Sequence, residues 1–351
     1  MDLHGGNIYR LKREDGVEVL DYSSNINPLG VPESFKKAVI ENFEALEKYP
    51  DIDYVELRQS IANYNSCSID NVVVGNGATE VLFLYMKAVK AKKVLIIAPT
   101  FAEYERAAKA AGRDVKFFPL SKDFSLNENL LMDFITDEDV VVMCNPNNPT
   151  GKFQDLDKIK RIANFLERKN KKLFVDEAFI EFVDGWKDKT SFLLKHKNIF
   201  ILRALTKFFA LPGVRLGYGL TFDEAILEEI RNIREPWSVN GVAEIAGKTM
   251  LLDNLYIHET EAWIKKEKIQ FYEELKALKG IEVTPTETNF ILVKLLNDDA
   301  KSFRKKMIEN GVLVRDASNF MFLDESYIRL AIKDRKKNEK VLEALKKVLG
   351  E

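Results

Sequence analysis

The stretch Val140-Val141-Val142-Met143-Cys144-Asn145-Pro146-Asn147-Asn148-Pro149-Thr150-Gly151 decides the architecture. Its first five residues are apolar without a break, and they stop at a loop rich in Asn and Pro. A strand with one wet face alternates apolar and polar side chains; a short continuous run belongs to a strand covered on both faces. The same signature stands at residues 94–98, and further strands are expected at 72–74, 115–118, 173–175, 199–202 and 216–220. Amphipathic helical patterns fill the intervals at 79–90, 102–111, 156–168 and 223–234. Strands alternating with helices predict an α/β fold, a mainly parallel sheet with helices on both faces. Beyond residue 239 the pattern changes. A long Lys- and Glu-rich helix is expected over 243–278, then short strands at 281–283, 290–293, 312–314 and 327–332 with helices at 300–310 and 334–348. This reads as a smaller α+β domain.

Composition narrows the function classes. The chain has 351 residues, with 53 Lys+Arg against 55 Asp+Glu and a net charge of −2. That balance argues against nucleic acid as the main partner, because neutralising phosphates usually needs a basic face. No stretch approaches the ~20 apolar residues of a membrane span, and the N-terminus lacks the basic and apolar regions of a secretion signal. A cytoplasmic location is expected. Cys67 and Cys144 lie far apart, which speaks against a disulfide framework. His4, His196 and His258 form no close pair, so no metal site is expected.

Four segments carry chemistry. Gly75-Asn76-Gly77-Ala78-Thr79-Glu80 follows an apolar run and opens a helix, a place where backbone N–H groups bind phosphate; a tight turn needs glycine in any case, so alone it says little. Asn148 sits in the loop after a buried strand, at the sheet edge where ligands bind in open α/β folds. Asp176, in Val175-Asp176-Glu177-Ala178, ends another apolar strand, and a buried carboxylate requires a positive partner. That partner is either a basic side chain or a protonated ring nitrogen. Lys207, in Leu205-Thr206-Lys207-Phe208-Phe209-Ala210-Leu211-Pro212-Gly213-Val214-Arg215, lies among apolar neighbours. Desolvation lowers a lysine pKa and favours an amine nucleophile. Pyridoxal 5′-phosphate accounts for all four segments, since it needs a lysine, a carboxylate for its pyridinium nitrogen, a donor for its ring oxygen and a phosphate cup.

In these motifs and their order the chain resembles the fold-type I pyridoxal-phosphate enzymes of the aminotransferase class I/II superfamily, over essentially its whole length. The resemblance implies that Lys207 is the residue joined to the cofactor and the later proton shuttle. Asp176 would pair with the pyridinium N–H, and Asn148 would serve the ring oxygen and the substrate. Gly77, Ala78 and Thr79 would bind the phosphate with Thr206 and Arg215, and Phe101 would stack on the ring. Tyr49, in Lys48-Tyr49-Pro50, would reach the phosphate of a neighbouring subunit, which implies a homodimer with shared active sites. Arg329, in Tyr327-Ile328-Arg329-Leu330, would clamp the substrate α-carboxylate. The implied division is an N-terminal segment 1–30 packed at the active site, a large cofactor-binding domain 31–240 and a small domain 241–351.

Two positions depart from the common superfamily pattern: Phe179 replaces a tyrosine that serves the ring oxygen, and Ala204 a serine that serves the phosphate. Three segments narrow the match: His4-Gly5-Gly6-Asn7, Asp21-Tyr22-Ser23-Ser24-Asn25-Ile26-Asn27-Pro28-Leu29-Gly30 and Glu235-Pro236-Trp237-Ser238-Val239-Asn240. With them the sequence is most similar to the L-threonine O-3-phosphate decarboxylases of cobalamin biosynthesis, where Phe179 fits and Ala204 stays unusual. The histidinol-phosphate aminotransferases come next. Both take a phosphorylated amino compound, with His4, Asn25 and Arg315 expected at its phosphate. The implied activity is decarboxylation of a phosphorylated amino acid, O-phospho-L-threonine to (R)-1-aminopropan-2-yl phosphate. An aminotransferase is the alternative, and a non-catalytic cofactor-binding regulator ranks last.

Overall fold

The computed structural model describes residues 5–14 and 16–351; His4 lies outside the described residues. In chain order the strands are β1 Leu20–Asp21, β2 Val72–Gly75, β3 Lys93–Ala98, β4 Asp114–Pro119, β5 Val140–Cys144, β6 Lys172–Asp176, β7 Ile199–Ala204, β8 Gly217–Thr221, β9 Ile281–Val283, β10 Phe290–Leu295, β11 Val312–Leu313, β12 Arg315–Asp316 and β13 Tyr327–Ala331. Seven form one sheet in the order β2-β8-β7-β6-β5-β3-β4. All its pairings are parallel except the two made by β8, which runs antiparallel to β2 and β7.

The apolar runs are the interior of this sheet, and their residues divide by period two between two cores. Val73, Ile96, Val142, Phe174 and Phe200 face a core shared with helices Ala78–Ala88, Glu103–Ala110 and Glu224–Ile233. Val74, Leu95, Val141, Val175 and Ile201 face the other, with Ile159, Ile162 and Leu166 of helix Leu156–Arg168. Each fully buried side chain of this kind contributes about 1.5–3 kcal/mol.

Register positions the chemistry. Cys144 is the neighbour of Asp176 across β5 and β6, and Asp176 is the neighbour of Leu202 across β6 and β7. The carboxyl ends of these three central strands therefore sit side by side, at the edge where open α/β sheets bind ligands.

A second sheet, β12-β13-β10-β9, is antiparallel throughout. It is tied to the N-terminal region: β1 pairs in parallel with β11, and Ala331 N–H donates to the Tyr22 carbonyl at 2.9 Å. The single helix expected over 243–278 is two helices, Gly241–Met250 and Asn254–Lys276. The cause is Asp253, whose carboxylate caps the second helix by accepting from Tyr256 N–H at 3.0 Å. No described helix is long and apolar enough to cross a membrane.

Candidate active site

A cleft of about 440 Å³ lies over the carboxyl ends of β5, β6 and β7. It gathers eleven of the expected residues: Asn25, Ala78, Thr79, Phe101, Asn148, Asp176, Thr206, Lys207, Arg215, Arg315 and Arg329. Gly77 lies immediately beside it, its ideal Cβ position 2.5 Å from Arg215 Nη2. Tyr49 is not in the cleft of this chain; it is 80% exposed and lies against the Trp237 ring, with centroids 4.8 Å apart.

Asp176 ends β6, where strand alternation turns it into the cleft and sends Glu177 the other way to Arg203, at 2.8 Å. Asp176 is 6% exposed. It accepts from Tyr104 Oη at 2.6 Å and from Ala178 N–H at 2.8 Å. No cation pairs with it among the described residues. Burial lifts its carboxyl to about 6, against the two hydrogen bonds that pull it down. A buried carboxylate so arranged calls for a cationic group in the cleft. Tyr104, three residues beyond Phe101, joins the cleft without having been singled out by sequence reasoning, because nothing local says where its hydroxyl points.

Lys207 lies on the single helical turn Leu205–Phe208 that follows β7. Burial lowers its amine to about 8, with the Arg329, Arg215 and Lys333 cations pushing the same way. The result is an amine that becomes neutral around pH 8 rather than above 10, suited to condensing with an aldehyde.

The turn before helix Ala78–Ala88 forms a cradle. Gly77 has φ +83°, and a Cβ at Gly217 would stand 2.2 Å from Ala78 N. Neither position has room for a side chain. Arg215 holds a left-handed backbone, φ 61°, and its guanidinium covers Gly77. Helix N–H groups plus an arginine over bare backbone are what a phosphate monoester needs.

On the opposite wall Arg315 of β12 and Arg329 of β13 are register partners, each 6% exposed. Like charges placed directly across a sheet repel, and burial together with Arg315 lowers the Arg329 guanidinium to about 9. Arg329 donates to Asn148 Oδ1 at 2.5 Å and to the Ser23 carbonyl at 2.8 Å, and its Nε has no partner among the described residues. Arg315 donates to Asn319 Oδ1 at 2.9 Å. The Asn25 Oδ1 atom, buried in the same wall, is also without a partner among the described residues. Two opposed buried arginines are an anion site. Lys333, which heads a charge run that reads in the sequence as a solvated helix face, is instead buried before the helix and fixes this wall, its Nζ donating to the Ser24 and Ile26 carbonyls at 3.1 and 2.9 Å.

A carboxylate without its cation, a desolvated lysine and a phosphate cradle therefore fit pyridoxal 5′-phosphate. Residues 17–345 match the family described as aminotransferase class I and II, and the chain belongs to that family of fold-type I, pyridoxal-phosphate-dependent enzymes. Within it, the chain is 35% identical to the threonine-phosphate decarboxylase of Salmonella typhimurium, over 99% of this chain and 96% of that one. A putative threonine-phosphate decarboxylase of Caldanaerobacter subterraneus is 38% identical, over 98% and 93%. Among solved structures, the histidinol-phosphate aminotransferase of Clostridium acetobutylicum superposes with a TM-score of 0.91 at 40% identity, covering 95% of this chain and 99% of that one.

Proposed function

We propose that the protein decarboxylates a phosphorylated amino acid, O-phospho-L-threonine, to (R)-1-aminopropan-2-yl phosphate. One observation carries the substrate class: Arg315 and Arg329 face each other, buried, in the cleft that holds Lys207 and Asp176. Such a pair suits a ligand rich in negative charge, and a phosphorylated amino acid brings both a phosphate and a carboxylate. Full-length similarity to threonine-phosphate decarboxylases supports the reaction type.

In this reading Arg315, with Asn25 and His4, holds the substrate phosphate, and Arg329 fixes the carboxylate. Held at both ends, the substrate would be oriented so that the bond from Cα to the carboxylate carbon, rather than Cα–H, is the one that breaks, which is catalysis by orientation. Pyridoxal phosphate, when bound, supplies the sink for the electron pair left on Cα. Lys207 supplies the attaching amine and then the proton that Cα gains as CO2 leaves. Asp176 keeps the cofactor nitrogen protonated, with Tyr104 holding the carboxylate in place. Asn148 donates its amide to the cofactor oxygen, its own oxygen being engaged by Arg329. Gly77, Ala78, Thr79, Thr206 and Arg215 take the cofactor phosphate, and Phe101 covers the ring.

The working molecule in this proposal is a cytoplasmic homodimer. Ile40, Phe43, Leu46, Tyr49, Ile52 and Val55 expose large apolar side chains along one short segment, an arrangement that marks an interaction face. Tyr49 would cross that face to the partner's cofactor phosphate. The proposed units are 1–30, 31–240 and 241–351, the first lying across the site.

A second reading, transamination of histidinol phosphate or a related amino compound, is favoured by the Clostridium relative. The two part on one measurement. Incubation with O-phospho-L-threonine is expected to release CO2 and leave the cofactor as pyridoxal phosphate. Formation of an oxo acid with pyridoxamine phosphate would establish the aminotransferase instead.

A further inference from the structure

A second chamber, also of about 440 Å³, opens beside the cofactor cleft and shares Gly5, Ser23 and Arg315 with it. One of its walls is helix Ala300–Glu309, Ala-Lys-Ser-Phe-Arg-Lys-Lys-Met-Ile-Glu. Phe303 and Met307 bury themselves in the core, while Lys301 and Arg304, three apart and so on one face, line the chamber. Neither of these two side chains makes a hydrogen bond or an ion pair among the described residues.

The carboxylates of the same chamber are already engaged. Glu14 holds Arg10 at 2.8 Å, and Asp316 accepts from the Ser318 N–H at 2.9 Å and hydroxyl at 2.6 Å. Lys306 of the same helix is bound to Asp298 at 2.7 Å and does not line the chamber. Among the described residues that line the chamber, Arg10, Lys301, Arg304 and Arg315 outnumber Glu14 and Asp316, so the chamber is net positive. None of Lys207, Asp176 and the Gly77 cradle lines it, yet Arg315 belongs to both spaces.

We propose that this chamber is an anteroom for phosphate monoester dianions, in which Lys301 and Arg304 capture the phosphorylated substrate and pass it to Arg315. The inference rests on the phosphorylated substrate of the proposed function but not on the bond that breaks. Two cations at the mouth of a cleft raise the local concentration of a dianion and its association rate, and that gain disappears when salt shortens the Debye length. They touch no reacting atom, so they act before chemistry.

The test is stopped-flow mixing of holoenzyme with O-phospho-L-threonine and, separately, with histidinol phosphate, following the cofactor absorbance. The parent protein is compared with the double variant Lys301→Gln/Arg304→Gln. The association rate constant of the variant is expected to be about tenfold lower at low ionic strength. The dissociation rate and kcat stay unchanged, and the gap closes at high salt. An equal association rate at low salt overturns the anteroom, as does a loss that persists at high salt, which would mark structural damage. Failure of the proposed reaction is read separately, from the product, because either phosphate ester reports on capture whichever bond it goes on to break. If neither ester perturbs the cofactor, the anteroom falls with the substrate class.

Discussion

At the scale of single residues the site is an arrangement of shifted acids and bases. Lys207 is expected to react as a neutral amine from about pH 8 upward rather than from above 10. Its pKa is lowered, so the reactive form is lost as pH falls through that value. The rate at which apoenzyme takes up pyridoxal phosphate should rise with pH and level off a little above 8, and a rate still climbing at pH 10 would refute the shift. Lys207→Ala should abolish the covalent cofactor band altogether. Tyr104 is a positioning residue. Removing its hydroxyl deletes a bond to a charged group worth about 1.5–3 kcal/mol. Tyr104→Phe should therefore raise the Asp176 pKa above its present value of about 6. The acid limb of the pH–rate profile should move upward with it, while a merely structural loss would lower activity at every pH alike. Lys207 and Asp176 were legible in the sequence because a charged residue ending an apolar run is costly without a partner. Tyr104 was not, because a tyrosine in a helix is ordinary until its hydroxyl is seen 2.6 Å from that carboxylate.

At the scale of elements, the strand-to-helix turn at Gly77 is the piece least tolerant of change. Its left-handed φ and the Arg215 guanidinium leave no space for a methyl group. Gly77→Ala should weaken cofactor binding by at least about tenfold, some 1.4 kcal/mol or more, while the seven-stranded sheet stays folded. Equilibrium dialysis of pyridoxal phosphate against circular dichroism separates the two. The glycine was readable in the sequence as a turn former. Its clash partner, 138 positions later in the chain (215 − 77), was not. The helix break at 251–253 shows the converse: apolar residues run through it at Met250, Leu251, Leu252 and Leu255, and only the cap made by Asp253 reveals two helices.

At the scale of the whole molecule, the exposure of Tyr49 and its apolar neighbours gives the dimer proposal a direct test. In a dimer with shared sites, Lys207→Ala and Tyr49→Ala each damage different halves of a site. Subunits of the two variants, mixed and allowed to exchange, should regain activity, because every mixed dimer holds one intact site. Random pairing gives about a quarter of the parent's activity. No recovery, with exchange verified by sedimentation, would place Tyr49 outside the partner's site. The molecule also explains how residues from both ends of the chain meet. β1 pairs with β11, and the side chains of Arg329, Lys333 and Asn289 hold the carbonyls of residues 23–26. Asn27 then bonds the Lys207 carbonyl at 3.2 Å.

The sequence by itself determined the mainly parallel α/β sheet and the presence of the residue types that pyridoxal phosphate calls for. Apolar periodicity is local, and a charge at the end of a buried run is conspicuous without any tertiary knowledge. Only the tertiary structure decided which of Asp176 and Glu177 faces the cleft, that Arg315 and Arg329 oppose each other, and that Lys301 and Arg304 open onto a second chamber. Those facts depend on strand register and on the meeting of segments hundreds of residues apart, and no local pattern encodes either.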